Sequence, residues 1–315
     1  ALQDKGNQEE AIASYEQALK IKPDFAESFR NMGISLQNKG DMKAAIASYK
    51  QALKFNPDDV EVYYNMGIAL YADGDSEAAI TSYKEALRFK PDNAEAYYNM
   101  GMALNDNGDP KAAIESYKMA LNIKPNYFDA YNNMGIAFYD TGDSEAAINS
   151  YKQVLRFKPD NADAYHNMAN SFASKGDLKA AIKSYKQAIE NRPSFYVAHN
   201  NLGVTLQALG DFKTAMCCYE TALKLKPDYV EAINNVGLLQ KQIGDVDGAE
   251  ASYKQAINIK PEYAGANFNL GLLLLKRQKF EQGFQLNEWR WKTVLRSGQF
   301  LQSSKPVWNN QQKKS

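Results

Sequence analysis

Apolar residues recur at three- and four-residue spacing in two short runs, which are clearest between residues 60 and 93. This spacing places side chains on one face of an α-helix, so each run predicts an amphipathic helix. Residues 72–75 separate the runs. Gly74 suits the left-handed residue that follows a helix, and Asp75 suits the cap that begins the next one. The segment therefore predicts a helix, a turn and a second helix.

The same pattern returns every 34 residues along the chain. Prolines follow the second helix of each unit at Pro23, Pro57, Pro91, Pro125, Pro159, Pro193, Pro227 and Pro261. Asparagines occupy one position of the first helix at Asn31, Asn65, Asn99, Asn133, Asn167, Asn201, Asn235 and Asn269. A unit of this size cannot bury its apolar face alone, so neighbouring units are expected to stack around a continuous core.

Small and aromatic residues repeat in the same phase. Glycine or alanine recurs in the first helix at Gly33, Gly67, Gly101, Gly135, Ala169, Gly203, Gly237 and Gly271. Tyrosine recurs in the second helix at Tyr15, Tyr49, Tyr83, Tyr117, Tyr151, Tyr185, Tyr219 and Tyr253. We expect the paired helices to approach closely at the small residues and the tyrosine rings to fill core space. Tyr117→Ala is then expected to cost about 3–5 kcal/mol.

These positions, with late alanines such as Ala52 and Ala86, together resemble the tetratricopeptide repeat. The resemblance implies an all-α fold, a right-handed α-solenoid superhelix of helix-turn-helix repeats. It divides the chain into a partial repeat at 1–25 with only its second helix, seven full repeats at 26–263, a degenerate terminal repeat with capping helices at 264–297, and a polar tail or linker at 298–315. Because the sequence opens within a helix and without methionine, we expect an excerpt of a longer protein.

The repeating asparagines are the main candidate for a binding site. In tetratricopeptide proteins the first helices line the inner groove, so the resemblance places these side chains there. An amide both donates and accepts hydrogen bonds, so a row of them can pair with the backbone of an extended protein or peptide ligand. In the other interpretation, the asparagines tie neighbouring helices together.

The residue before each asparagine changes along the chain. The predicted peptide-binding site includes the following members of this second row: Tyr64, Tyr98, Asn132, His166, Asn200 and Asn234. Its first half is aromatic and its second half is rich in amides, and Tyr71 is expected to add aromatic surface further along its helix. Acidic residues recur near the start of the first helices at Glu27, Glu61, Glu95, Asp129, Asp163 and Glu231. If they face the groove, they favour basic or neutral ligands.

Charge and composition narrow the classes of partner. Lysine plus arginine equals aspartate plus glutamate at 37 each, so neither nucleic acid nor an anionic membrane is expected as a partner. No apolar stretch is long enough to cross a bilayer, which predicts a cytoplasmic protein. Cys217 and Cys218 are adjacent, which is no metal or disulfide spacing. His166 and His199 have no fixed partner for catalysis, so we predict no enzyme activity in this chain and no cofactor.

Two functional interpretations stay open. Segments 132–135 and 200–203 resemble repeats of the O-linked N-acetylglucosamine transferase family, in which the asparagine row docks protein substrates. Trp289, Trp291 and the residues from Lys305 to Trp308 resemble the junction at which a glycosyltransferase-like domain begins in bacterial tetratricopeptide proteins. The chain is then the substrate-recruiting arm of such a protein. The alternative is a free-standing scaffold that assembles partners or forms homo-oligomers through exposed terminal repeats.

Overall fold

The structure, a computed structural model, describes residues 8–290. All regular elements within this range are helices, so the predicted all-α fold of tandem helical hairpins is confirmed. The chain divides into two compact units, an N-terminal unit that ends at Asn191 and a C-terminal unit that begins at Arg192. The polar tail at 298–315, Trp291 and the segment from Lys305 to Trp308 lie outside the described residues.

Eleven helices of the described residues belong to the N-terminal unit. They are α1 (Gln8–Ile21), α2 (Ala26–Lys39), α3 (Met42–Phe55), α4 (Val60–Ala72), α5 (Ser76–Phe89), α6 (Ala94–Asp106), α7 (Pro110–Ile123), α8 (Phe128–Asp140), α9 (Ser144–Phe157), α10 (Ala162–Ser174) and α11 (Leu178–Asn191). The C-terminal unit contains α12 (Tyr196–Ala208), α13 (Phe212–Leu225), α14 (Val230–Gln242), α15 (Val246–Ile259), α16 (Ala264–Lys276) and α17 (Phe280–Asn287).

The turns within the hairpins have the predicted chemistry. Gly74 adopts a left-handed conformation with φ of 91°, and the Asp75 side chain accepts a hydrogen bond from the backbone N–H of Ala78 at 3.0 Å. Pro110 occupies the start of α7, where a missing N–H costs nothing. In the last hairpin Gln278 takes the left-handed position with φ of 59°. The fold therefore retains this turn where the glycine is absent.

Buried tyrosines fill the space between the two helices of a hairpin. A methyl group added to Gly101 in α6 would lie 2.5 Å from Cε1 of Tyr117 in α7. Added to Gly203 in α12, it would lie 2.6 Å from Cε1 of Tyr219 in α13. Real methyl contacts are never so close, so glycine is what allows each ring to pack against the facing helix. The same packing therefore forms the core of both units.

The first helices of consecutive hairpins also contact each other. These contacts join α2, α4, α6, α8 and α10 in order within the N-terminal unit, and α12, α14 and α16 within the C-terminal unit. We call the surface along these helices in each unit the asparagine face of that unit, defined by its repeating asparagines and the residue before each one. No helix among residues 8–290 has the length and apolar character required to cross a membrane.

Candidate functional site

The asparagine face of the N-terminal unit is held together by hydrogen bonds between consecutive first helices. Nδ2 of Asn99 in α6 donates to the hydroxyl oxygen of Tyr64 in α4 at 3.2 Å. Nδ2 of Asn133 in α8 donates to the hydroxyl oxygen of Tyr98 in α6 at 3.1 Å. Each bond joins an asparagine to the residue 35 positions earlier, and we call such a bond a rung. These asparagines therefore do tie neighbouring helices, and their role in binding stays a prediction.

The C-terminal unit forms the same rungs with a different acceptor. Nδ2 of Asn235 in α14 donates to Oδ1 of Asn200 in α12, and Nδ2 of Asn269 in α16 donates to Oδ1 of Asn234 in α14, both at 2.9 Å. The amide-rich half of the second row thus supplies carbonyl oxygens where the aromatic half supplies phenol oxygens.

The two kinds of acceptor differ in their burial. Asn200 and Asn234 are buried, with exposed fractions of 4% and 6%. Tyr64 and Tyr98 are half-buried, so solvent reaches part of each side chain. All eight repeating asparagines are half-buried as well. A ligand can therefore reach both members of a rung in the N-terminal unit, whereas the acceptors in the C-terminal unit are covered.

The tyrosine acceptors are neutral and keep a proton to donate. Burial raises the pKa of Tyr64, Glu95 raises it further, and the bond from Asn99 partly opposes this. Burial likewise raises the pKa of Tyr98, with Asp129 adding to the shift and the bond from Asn133 opposing it. Since a neutral phenol both donates and accepts, each hydroxyl that accepts in a rung still has an O–H for a ligand carbonyl.

Neighbouring residues on the same helix orient several asparagines. Nδ2 of Asn132 donates to Oδ1 of Asn133 at 3.3 Å, and Nδ2 of Asn200 donates to Oδ1 of Asn201 at 3.1 Å. Nδ1 of His166 lies 3.3 Å from Oδ1 of Asn167, and the His166 ring lies 5.8 Å from that of Tyr185. The second row therefore sets the direction of the asparagine amides.

The predicted acidic residues near the start of the first helices are partly neutralised. Glu95 accepts a hydrogen bond from Nζ of Lys124 at 2.8 Å, which lowers the pKa of that carboxyl. Arg30 lies 3.3 Å from Glu61 and 3.8 Å from Glu27. These ion pairs weaken the negative field that the sequence suggests at this end of the helices.

A cleft on the N-terminal unit was not predicted as a site. It has a volume of about 170 Å³ and is lined by Tyr71, Met102, Asn105, Asp106, Tyr117, Asn133 and Ile136. The Tyr71 hydroxyl donates to Oδ2 of Asp106, again 35 positions later. No sequence signal marked this pair, because the 35-residue interval follows from the offset between stacked helices and not from the 34-residue period. The cleft brings the predicted Asn133 together with a carboxylate that sequence reasoning missed.

A second set of 35-residue bonds therefore runs beside the rungs. In the C-terminal unit, Nε2 of Gln207 donates to Oε1 of Gln242 at 2.9 Å, at the repeat positions of Tyr71 and Asp106. The N-terminal unit has a phenol and a carboxylate where the C-terminal unit has two neutral amides. Among residues 8–290, no group of three or more histidine, cysteine, aspartate or glutamate side chains could hold a metal ion.

Solved structures show the same fold. The crystal structure of MamA protein is 30% identical, with a TM-score of 0.52, covering 53% of this chain and 92% of MamA. YrrB, titled a TPR protein with an unusual peptide-binding site, is 23% identical with a TM-score of 0.54, covering 58% of this chain and 95% of YrrB. The C-terminal part of a repeat-containing protein from Cytophaga hutchinsonii is 17% identical with a TM-score of 0.63, covering 77% and 99% respectively.

Family models account for most of the sequence, although no protein of curated function was matched. A model described as TPR repeat matches residues 1–40, 38–74, 69–108, 101–142, 137–175, 169–210 and 237–278. A second model, described as tetratricopeptide repeat, matches residues 196–229. The matches cover well over half of the chain and fall on its tandem helical repeats, so the chain belongs to the tetratricopeptide repeat family.

Proposed function

We propose that this tetratricopeptide scaffold binds an extended peptide along the asparagine face of its N-terminal unit. The observation that carries the proposal is the half-buried tyrosine rung, in which Tyr64 accepts from Asn99 and Tyr98 accepts from Asn133. Each rung presents a phenol O–H that donates and an amide oxygen that accepts. Such a pair matches the C=O and N–H groups of an extended backbone.

The remaining members of the predicted site have different roles in this proposal, depending on their burial. Within the N-terminal unit, the half-buried members contact the peptide where it continues along the face: Asn31, Asn65, Asn132, His166 and Asn167. Asn201, Asn235 and Asn269 are also half-buried, but they belong to the C-terminal unit and lie outside the proposed peptide path. Asn200 and Asn234 are buried acceptors, so they hold Asn235 and Asn269 in position rather than touch the ligand. YrrB, whose title records a peptide-binding site, supports the view that this fold accommodates a peptide.

The test begins with a library of random linear peptides displayed on phage and selected on the protein. The affinity of a selected peptide is then compared between the wild type and the triple variant Asn65→Ala, Asn99→Ala, Asn133→Ala. Each backbone hydrogen bond contributes about 0.5–1.5 kcal/mol, so losing three weakens binding by about tenfold or more.

The matched control removes three asparagines from exposed positions of second helices, Asn122, Asn149 and Asn258. We expect this control triple variant to bind as tightly as the wild type. Equal losses in the two triple variants, or a library that yields no binder at all, would overturn the proposed function.

A finer proposal makes the chain the substrate-recruiting arm of a glycosyltransferase-like protein. Its support is the residue resemblance of segments 132–135 and 200–203 and of the tryptophan-containing end of the chain. The nucleotide sequence of the parent gene beyond the codon for Ser315 tests this proposal. A glycosyltransferase domain there supports the arm, and a stop codon contradicts it.

Self-assembly is a second candidate function, favoured by exposed aromatic surface on α17. Phe280 and Phe284 stack with ring centroids 6.4 Å apart and are 55% and 60% exposed. Apolar surface of this kind marks interaction sites. Sedimentation of the wild type and of Phe284→Lys provides the test, because self-assembly through this surface predicts a concentration-dependent oligomer that the variant loses. A monomer at all concentrations would exclude it.

A further inference from the structure

The cleft between α4, α6, α7 and α8 of the N-terminal unit is an unassigned binding site with apolar walls and a carboxylate. We infer that it takes one cationic side chain, lysine or arginine, of the peptide bound along the asparagine face. The inference rests on the proposed function and names the class of peptide that it recognises.

The size of the cleft fits a single side chain. Its volume of about 170 Å³ is well below the pockets of about 300–1,000 Å³ that hold drug-sized molecules and cofactors. Asn133, a rung donor to Tyr98, lines the cleft, so the cleft adjoins the row on which the peptide backbone is proposed to lie. One side chain that projects from that backbone can enter it.

The walls fit the methylene stem of a basic residue. Met102 and Ile136 supply flexible and branched apolar surface, and Tyr117 supplies an aromatic ring. Lysine and arginine bury such stems along apolar surface while the charged head remains near polar groups. Tyr71 also lines the cleft, and the π-electrons of an aromatic ring attract a cation that lies over its face.

The charge of the cleft selects a cation. Asp106 is exposed, and its Oδ2 accepts a hydrogen bond from the Tyr71 hydroxyl. A carboxylate has about four acceptor positions over its two oxygens, so this bond leaves capacity for an ammonium or guanidinium group. Among the described residues, no lysine or arginine forms an ion pair with Asp106. An anionic ligand would be repelled here, and an apolar ligand would gain nothing from the carboxylate.

The residue at this repeat position differs along the chain. Asp140 carries a carboxylate at the equivalent position one repeat later. The C-terminal unit has the neutral Gln242 at this repeat position, bonded to Gln207. The preference for a basic residue is therefore expected from the N-terminal unit alone.

A small probe tests the cleft without a peptide. We expect n-butylammonium to shift the methyl NMR signals of Met102 and Ile136, and n-butanol, which has the same chain without the charge, to shift them much less. Asp106→Asn retains an acceptor for Tyr71 but removes the charge, so the response specific to ammonium should disappear. Equal responses to the two probes, or an unchanged response in Asp106→Asn, would overturn the inference.

A selected peptide provides the second measurement. We expect phage selection to fix lysine or arginine at one peptide position, and norleucine at that position to weaken binding about tenfold. Asp106→Asn should weaken the cationic peptide by a similar factor and leave the norleucine peptide unaffected. Glu220→Gln, which removes an exposed carboxylate from α13, is the matched control and should change neither.

The two proposals fail in distinguishable ways. Peptides that bind the asparagine face without a basic residue, or whose affinity is the same in Asp106→Asn, overturn the cationic cleft and leave the proposed function standing. The absence of any selected peptide overturns the proposed function and the inference together.

Discussion

The two units build the same rung from different acceptors. In the N-terminal unit an asparagine donates to a half-buried tyrosine, as Asn99 does to Tyr64. In the C-terminal unit an asparagine donates to a buried asparagine, as Asn235 does to Asn200. The donor position and the 35-residue interval are identical, so the geometry of the stack sets the bond. Burial of the acceptor sets whether a ligand can use it.

The chemistry of the acceptor strengthens this difference. A phenol that accepts in a rung keeps its own proton to donate, whereas the Asn200 amide uses its Nδ2 on Oδ1 of Asn201. The tyrosine rungs therefore tie neighbouring helices and, in the proposed function, also bind the peptide. The asparagine rungs of the C-terminal unit tie neighbouring helices and satisfy the hydrogen bonding of buried amide oxygens.

The largest expected effect tests what the units share. Tyr117→Ala in the N-terminal unit and Tyr219→Ala in the C-terminal unit each remove a buried ring that packs on a glycine of the facing helix. Each should destabilise its own unit by about 3–5 kcal/mol, measured by hydrogen exchange of the helices in that unit.

The matched controls keep the ring and remove the hydroxyl. Tyr117→Phe and Tyr219→Phe should cost about 0.5–1.5 kcal/mol, the worth of a hydrogen bond such as that from Tyr219 to Gln207. Alanine variants that cost no more than the phenylalanine variants would show that the ring is not part of the core.

A smaller effect should separate the two kinds of rung. Asn235→Ala leaves Oδ1 of the buried Asn200 without this donor, which costs about 1–3 kcal/mol. Asn99→Ala leaves a hydroxyl on the half-buried Tyr64, so the cost is about 0.5–1.5 kcal/mol. Helix-resolved hydrogen exchange measures both values. A larger cost for Asn99→Ala than for Asn235→Ala would reverse the account.

The smallest effect is a difference at alkaline pH. Burial raises the pKa of Tyr64 and Tyr98 above the ordinary value of 10, so between these values the folded state binds more protons than the unfolded state. The stability they contribute is complete below pH 10 and is lost as pH rises through the folded pKa. Buried core tyrosines such as Tyr253, with a pKa raised to about 12, impose a similar loss in the C-terminal unit. The asparagine rungs contain no titrating group, so they add nothing to this loss of stability.

Replacement of the rung tyrosines isolates their share. The double variant Tyr64→Phe, Tyr98→Phe should be less stable than the wild type at neutral pH, and its stability should fall less steeply above pH 10. The measurement is hydrogen exchange of α4 and α6, corrected at each pH for the intrinsic exchange rate. A decline as steep as in the wild type would show that the rung tyrosines do not titrate in this way.

The sequence predicted the hairpins because their signals are local. Gly74 and Asp75 act through the conformation of their own turn and helix end, and both are found as predicted. The packing of Tyr117 on Gly101 follows from their positions in one hairpin. Each feature is fixed within a single 34-residue unit.

The unpredicted features depend on how one unit meets the next. The rung interval of 35 residues requires the offset between stacked first helices, which a 34-residue period does not contain. The burial of Asn200 could not be distinguished from the half-burial of Asn132 at the same repeat position. Asp106 ends a helix in the sequence, and only stacking places it beside Tyr71. The division into two compact units after Asn191 was also unpredicted, because the 34-residue period continues unchanged past that residue.

One comparison tests the central claim most directly: the peptide affinity and the unfolding stability of two matched double variants, Asn99→Ala with Asn133→Ala and Asn235→Ala with Asn269→Ala. The account predicts that the first pair weakens a selected peptide about tenfold or more with a modest loss of stability. The second pair should lose more stability and keep most of the affinity. The opposite pattern, with affinity lost through the C-terminal pair and stability lost through the N-terminal pair, would contradict it.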